Sequence, residues 1–150
     1  MTFEEKNCAE DLIAFINRAT SPYHAVEQSN GALPAVPLFG AEGIHARQCY
    51  YFPLYNTGTV IISIGENPRG PLRIACAHTD FPCLRIKPNP ILRMYGYGKL
   101  NAEVYGGMIR NTWMDRPLSL AGAVALCGDD AFTPKLRLVD FRPRPCPTLR

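Results

Sequence analysis

The sequence has 150 residues, 47% hydrophobic and 19% charged, with a formal net charge of +3, a composition that fits one globular domain with a real core. The positive excess is spread along the chain without a dense basic stripe, so a nucleic-acid footprint is not expected; Arg142, Arg144 and Arg150 form the one basic cluster, interleaved with prolines. No apolar stretch approaches membrane-spanning length and the opening Met1-Thr2-Phe3-Glu4-Glu5-Lys6 is no secretory leader, so no membrane role is expected and the cytoplasm is the expected location.

Apolar positions Cys8, Leu12, Ile13, Phe15 and Ile16 predict a helix over 4–19, ended by Ala19-Thr20. Ser21 then reads as an N-cap, with Pro22 at the first helical position of a second helix running to about Gln28 and closed by Ser29-Asn30-Gly31. Residues 33–43, with two prolines and two glycines, read as loop. From Cys49 the pattern changes. Segments 49–55 and 57–64 are rich in β-branched and aromatic residues, and Asn56-Thr57-Gly58 between them predicts a hairpin. After a second turn over 66–70, the apolar run 72–77 reads as a short buried strand ending at His78. Segment 84–87 alternates apolar and basic, and Gly96-Tyr97-Gly98 and Gly106-Gly107 read as turn glycines beside strands. Segments 99–105 and 136–141 are further strand candidates; 118–126 is another, although Ser119-Leu120-Ala121-Gly122-Ala123-Val124 also reads as helix. Two helices followed by strands indicate an α+β or mixed α/β arrangement, and the mixed α/β fold is the one expected.

Six cysteines, Cys8, Cys49, Cys76, Cys83, Cys127 and Cys146, show no Cys-x-x-Cys spacing, and most lie in apolar runs. Buried reduced thiols are therefore expected in preference to disulfides or a cysteine zinc site. The closing Arg142-Pro143-Arg144-Pro145-Cys146-Pro147 propagates neither a helix nor a central strand, because each proline removes a donor.

The chemistry centres on His78-Thr79-Asp80. A histidine at the carboxyl end of a buried strand can point an imidazole nitrogen into a cleft. An aspartate two residues on can accept the other ring N–H and fix its tautomer, as metal-binding histidines require. The bland alternative is a strand-end histidine in an ordinary hydrogen bond. A catalytic metal site needs three or more protein ligands, and the spacing supplies no others: His24 reads as capping or packing, His45 sits in a loop, and Glu103 and Asp115 are carboxylates that nothing ties to His78. There is no Gly-x-Ser-x-Gly elbow and no phosphate-binding Gly-x-x-x-x-Gly-Lys loop. Trp113 reads as a loop anchor before a ligand contact, and Asp115-Arg116 as a local ion pair.

Four strings together resemble one family. They are Ser21-Pro22-Tyr23-His24-Ala25-Val26, then Ala77-His78-Thr79-Asp80-Phe81-Pro82-Cys83-Leu84-Arg85-Ile86-Lys87-Pro88, then Glu103-Val104-Tyr105-Gly106-Gly107, and Asn111-Thr112-Trp113-Met114-Asp115-Arg116-Pro117-Leu118-Ser119-Leu120-Ala121-Gly122. In this order they resemble the amino-terminal third of the aspartyl aminopeptidases, dinuclear zinc exopeptidases, in their bacterial branch, over residues 8–143. The resemblance implies an α/β catalytic domain that carries two zinc ions (cobalt or manganese being possible replacements) and an inserted β-rich domain that drives homo-oligomer assembly. It implies hydrolysis of the first peptide bond of peptides, favouring amino-terminal Asp or Glu, by zinc-activated water with a glutamate as general base. It makes His78 a zinc ligand and Asp80 its catalytic partner beside the site; the glutamate, the bridging aspartate and the remaining ligands belong to the family's carboxyl-terminal half. Asp115 looks like a bridging ligand, yet its string leads towards the inserted domain and is read as structural or near-site.

Residues 1–128 are accordingly expected to be the start of the catalytic domain and 129–150 the start of the inserted one. The tail departs from the family pattern, which continues after its Arg-Pro pair with an apolar stretch and a histidine; a truncated or frame-shifted gene would explain this, and so would a deliberately shortened chain. The 150-residue chain alone is then expected to be inactive, because one histidine cannot hold a zinc pair. The alternatives are a non-catalytic fragment with unpaired strand edges, or an interaction module using the Arg-Pro tail in polyproline II conformation.

Overall fold

Thr2 opens the first helix. Its hydroxyl accepts the Glu5 N–H at 3.2 Å while the Glu5 carboxylate accepts the Thr2 N–H at 2.7 Å, a reciprocal capping box that satisfies two donors the helix cannot. In this computed structural model, which describes residues 2–67, 69–114, 116–130 and 132–142, the helix α1 covers Phe3–Arg18. The expected stripe is present on it, but Leu12, Ile13 and Ile16 remain exposed. The readings placed on Asp115 and on 143–150 fall outside the described residues.

The helix α2 covers Pro22–Ala32, capped as the sequence predicts by Ser21 with proline in the first turn. It runs past Gln28 through Ser29, Asn30 and Gly31, which were expected to close it. The Ser29 hydroxyl donates to the Ala25 carbonyl at 2.8 Å, so the serine is satisfied within the helix and does not compete with it.

The described residues divide into two compact units, Met1–Thr79 with Ser119–Arg150, and Asp80–Leu118. In the first, strands β1 (Ala35–Pro37), β2 (Cys49–Leu54) and β3 (Gly58–Ser63) form a sheet in the order β1-β2-β3, with β1 parallel and β3 antiparallel to β2. Residues 33–43 were expected to be loop, yet they contain β1, which follows Pro34 and ends in Pro37; an edge position tolerates the missing N–H of a proline. Tyr55 and Asn56 both take positive φ, 51° and 61°, and the Thr57 N–H donates to the Leu54 carbonyl at 3.2 Å. This mirror-image turn matches the strand twist and closes the predicted hairpin one residue early.

Tyr50, 1% exposed, is the largest fully buried side chain among the described residues. Its hydroxyl donates to the Gly43 carbonyl at 3.1 Å and accepts the His45 N–H at 2.7 Å, which folds the 38–48 loop back over the sheet. Ala25 and Val26 complete the apolar core on α2. The Thr59 hydroxyl on β3 donates to the Asn30 side-chain oxygen at 2.7 Å, tying the sheet to that helix. Strands β6 (Leu120–Leu126) and β7 (Lys135–Phe141) form an antiparallel hairpin in the same unit. Segment 119–124 is thus not helix: seven cross-strand pairs, from Leu120↔Phe141 to Leu126↔Lys135, give its backbone a ladder.

One strand expectation fails. Residues 71–78 have no regular secondary structure, and Leu72 and Ile74 are 82% and 81% exposed. A strand exists only where a neighbour accepts and donates its backbone hydrogen bonds, and no described strand pairs with this run. The cysteines also depart from expectation in part: Cys8, Cys49, Cys76, Cys83 and Cys127 are free thiols, but Cys8, Cys76 and Cys127 are exposed.

The second unit is built on one long hairpin, β4 (Cys83–Met94) with β5 (Tyr97–Tyr105), turning at Tyr95 and Gly96, both with positive φ. Of β4, only 84–87 was expected as strand; beyond it Pro88 and Pro90 each lack the N–H that a ladder uses. The register shift between Ile86 and Ile91 accommodates both prolines, and the Asn101 side-chain amide donates to the Asn89 carbonyl at 3.1 Å. Residues Arg110–Trp113 make a single 3-10 turn, with Trp113 half-buried.

Candidate functional site

His78 ends the irregular segment that follows the β2–β3 hairpin. Its neighbour Thr79 anchors that end of the first unit: the Thr79 hydroxyl donates to the Thr57 carbonyl at 2.6 Å, beside the hairpin turn. The histidine is therefore carried by a loop anchored beside it at Thr79, not by the expected strand.

Asp80 begins the second unit, half-buried. The Tyr105 hydroxyl donates to Asp80 Oδ2 at 2.5 Å. Tyr105 is the last residue of β5 and pairs with Cys83, the first of β4, while Arg85 and Glu103 form the pair two residues further along. Period two puts Cys83, Arg85, Glu103 and Tyr105 on one face. The Arg85 guanidinium carbon lies 5.6 Å from the centroid of the Tyr105 ring, within cation–π range. Gly106 follows with φ of 74°, and a Cβ there would stand 3.4 Å from Pro82 Cα. The chain can thus turn tightly over Pro82 in a left-handed conformation that a side chain would strain.

The electrostatics follow from these contacts. Tyr105 holds its proton above the usual phenol range, first because it donates to the Asp80 carboxylate and then because that charge repels a phenolate; Arg85 opposes the shift. Partial burial pushes the Cys83 thiol up, with the Arg85 charge lowering it and the Asp80 charge raising it. The face is arranged around the negative charge of Asp80.

Of the other sequence candidates, His24 and His45 belong to the first unit and Glu103 to the face just described. His24 is buried with its Nδ1 hydrogen-bonded to the Ser21 hydroxyl at 2.8 Å, in the capping and packing role expected for it. His45 lines a shallow depression of about 340 Å³ with Phe39, Glu42 and Tyr50. Glu103 stands opposite Arg85 on the hairpin. Sequence reasoning assigned no role to Tyr105; the alternation Glu103-Val104-Tyr105 marked its face, but not its reach to Asp80.

Among the described residues, no three His, Cys, Asp or Glu side chains are grouped to hold a metal ion. A zinc site takes three or four protein donors. His78 offers one imidazole, so the described residues do not by themselves fit a zinc ion.

Similarity to known proteins supplies the wider frame. Residues 15–141 match the family model described as aminopeptidase I zinc metalloprotease (M18). A probable M18 family aminopeptidase 2 from Clostridium novyi is 36% identical over 141 residues, covering 89% of this chain and 33% of the relative. One of the same description from Pseudomonas fluorescens is 38% identical over 146 residues, covering 93% and 33%. Among solved structures, an Ape4 and Nbr1 complex contains a chain matched with a TM-score of 0.78 at 32% identity, covering 91% of this chain and 27% of that one. An M18 aminopeptidase from Thermotoga maritima matches with a TM-score of 0.78 at 21% identity over 99% of this chain and 35% of that one, which speaks to the fold alone. The chain spans about a third of the length of the curated relatives it matches. The resemblance carried by the four strings is borne out, as is the mixed α/β fold: this chain belongs to the M18 family of zinc aminopeptidases.

Proposed function

We propose that this chain is part of a metalloaminopeptidase that hydrolyses the amino-terminal peptide bond of peptides and favours amino-terminal Asp or Glu. The family match over residues 15–141 carries the reading; the acidic preference comes from the four strings' likeness to the aspartyl branch. Within it, His78 serves as one zinc ligand and Asp80 as the acid that orients it. The other ligands and the general base come from outside the described residues, and the working protein is a cytoplasmic homo-oligomer. The division at residues 128 and 129 between the catalytic domain and an inserted β-rich domain belongs to the same reading.

The 150-residue chain on its own is inactive, since its described residues assemble no three-ligand group. The test compares the protein expressed from its natural gene with the 150-residue chain, on α-aspartyl, α-glutamyl and leucyl chromogenic amides. The expected result is chelator-sensitive release from the acidic substrates by the natural protein and none by the chain. Turnover by the chain, or a preference for the leucyl substrate, contradicts the corresponding half of the proposal.

A further inference from the structure

We propose that Tyr105 is a positioning residue for the reaction, its phenolic hydroxyl holding the Asp80 carboxylate in one orientation. The inference rests on the reading of Asp80 as an orienting acid and adds to it the group that fixes that acid. Asp80 lies outside any strand, since β4 begins at Cys83. No ladder sets its backbone, so the direction of its carboxylate depends on what its side chain meets. The Tyr105 hydroxyl meets Oδ2 at 2.5 Å, and an O–H donor on a carboxylate is among the stronger hydrogen bonds a protein makes. Fixing one oxygen fixes the carboxylate plane, and with it the directions in which Oδ1 accepts. An orienting group works only when held within about 0.5 Å and 10–20° of its productive geometry.

Tyr105 is suited to that task because it is itself restrained from three sides. Its backbone pairs with Cys83, the Arg85 guanidinium covers its ring at 5.6 Å, and the Gly106 turn closes against Pro82. All of these groups belong to the same unit as Asp80, so the restraint does not depend on how the two units are arranged.

Two measurements test this with Tyr105→Phe, which keeps the ring and removes only the hydroxyl. In the full 150-residue chain, the Asp80 side-chain carboxyl ¹³C resonance, assigned by its absence in Asp80→Asn, should move from its position in the parent, with Tm within about 2 °C of the parent. In the protein expressed from its natural gene, kcat should fall about tenfold, as for loss of an outer partner of a site residue, with KM changed by less than about twofold. Adding Tyr105→Phe to Asp80→Asn should then lower kcat no further, because the hydroxyl acts through the carboxylate. An unmoved resonance, or a full additive loss in the double variant, overturns the inference. Parent kcat in Tyr105→Phe beside a low kcat in Asp80→Asn overturns the role of Tyr105 while leaving that of Asp80. Parent kcat in Asp80→Asn overturns both.

Discussion

Tyr105 and Cys83 stand opposite each other at the root of the β4–β5 hairpin, and both hold their protons more tightly than usual. For Tyr105 the first cause is its hydrogen bond to Asp80, and this fixes the sign of a pH effect. The folded phenol keeps its proton to higher pH than the unfolded one. Its contribution to stability is therefore complete below the ordinary tyrosine range and is lost as pH rises through the raised value. Urea unfolding between about pH 9 and about pH 12 should show the parent losing stability faster than Tyr105→Phe, which has no phenol to ionise there. Equal slopes would mean that the hydrogen bond does not persist in solution. His78 and Asp80 could be proposed from the sequence because their chemistry and two-residue spacing are local. Tyr105 was not, because it meets Asp80 only when a hairpin more than twenty residues long brings β5 back beside β4.

The same contrast between local and distant causes separates the elements that the sequence predicts from those it misses. The capped start of α2 was readable since Ser21-Pro22 carries its own instructions, and the β2–β3 hairpin since both strands and the turn are contiguous. The extension of β4 through Pro88 and Pro90 was not readable, because only its partner strand and the shift after Ile86 make room for them. The run 72–77 had the pattern of a strand without the neighbour that makes one. Ser21 allows the local part to be tested. It is 5% exposed, its hydroxyl accepts the His24 N–H at 3.4 Å, and it is bonded to His24 Nδ1, itself on a buried residue. Ser21→Ala removes the cap and leaves that nitrogen without its partner, at a cost of about 1–3 kcal/mol. Denaturant titration should show a lower midpoint with an unchanged slope, and Ser21→Asp, which keeps a cap acceptor, should lose less. Equal losses in the two variants would assign the effect to packing.

At the scale of the chain, surface area decides what the 150 residues can do alone. Among the described residues the buried apolar set is Ala25, Val26 and Tyr50, while Leu72, Ile74 and Phe39 stand largely in solvent. Among the described residues the two-stranded sheets β4–β5 and β6–β7 have no third strand, and they carry exposed apolar side chains such as Ile91 and Leu136, the combination of open edge and apolar face that drives self-association. The metal behaviour follows from the same incompleteness. A lone imidazole binds zinc far more weakly than a three- or four-donor site, and much of a structural zinc's affinity comes from donors that the fold has already gathered. Equilibrium dialysis of the chain against micromolar zinc should therefore give substoichiometric occupancy that His78→Ala leaves unchanged, and sedimentation should show mass rising with concentration. One tightly bound zinc per chain, lost in His78→Ala, would mean that the chain gathers a ligand set that its described residues do not display, and the expectation of an inactive chain would fall with it.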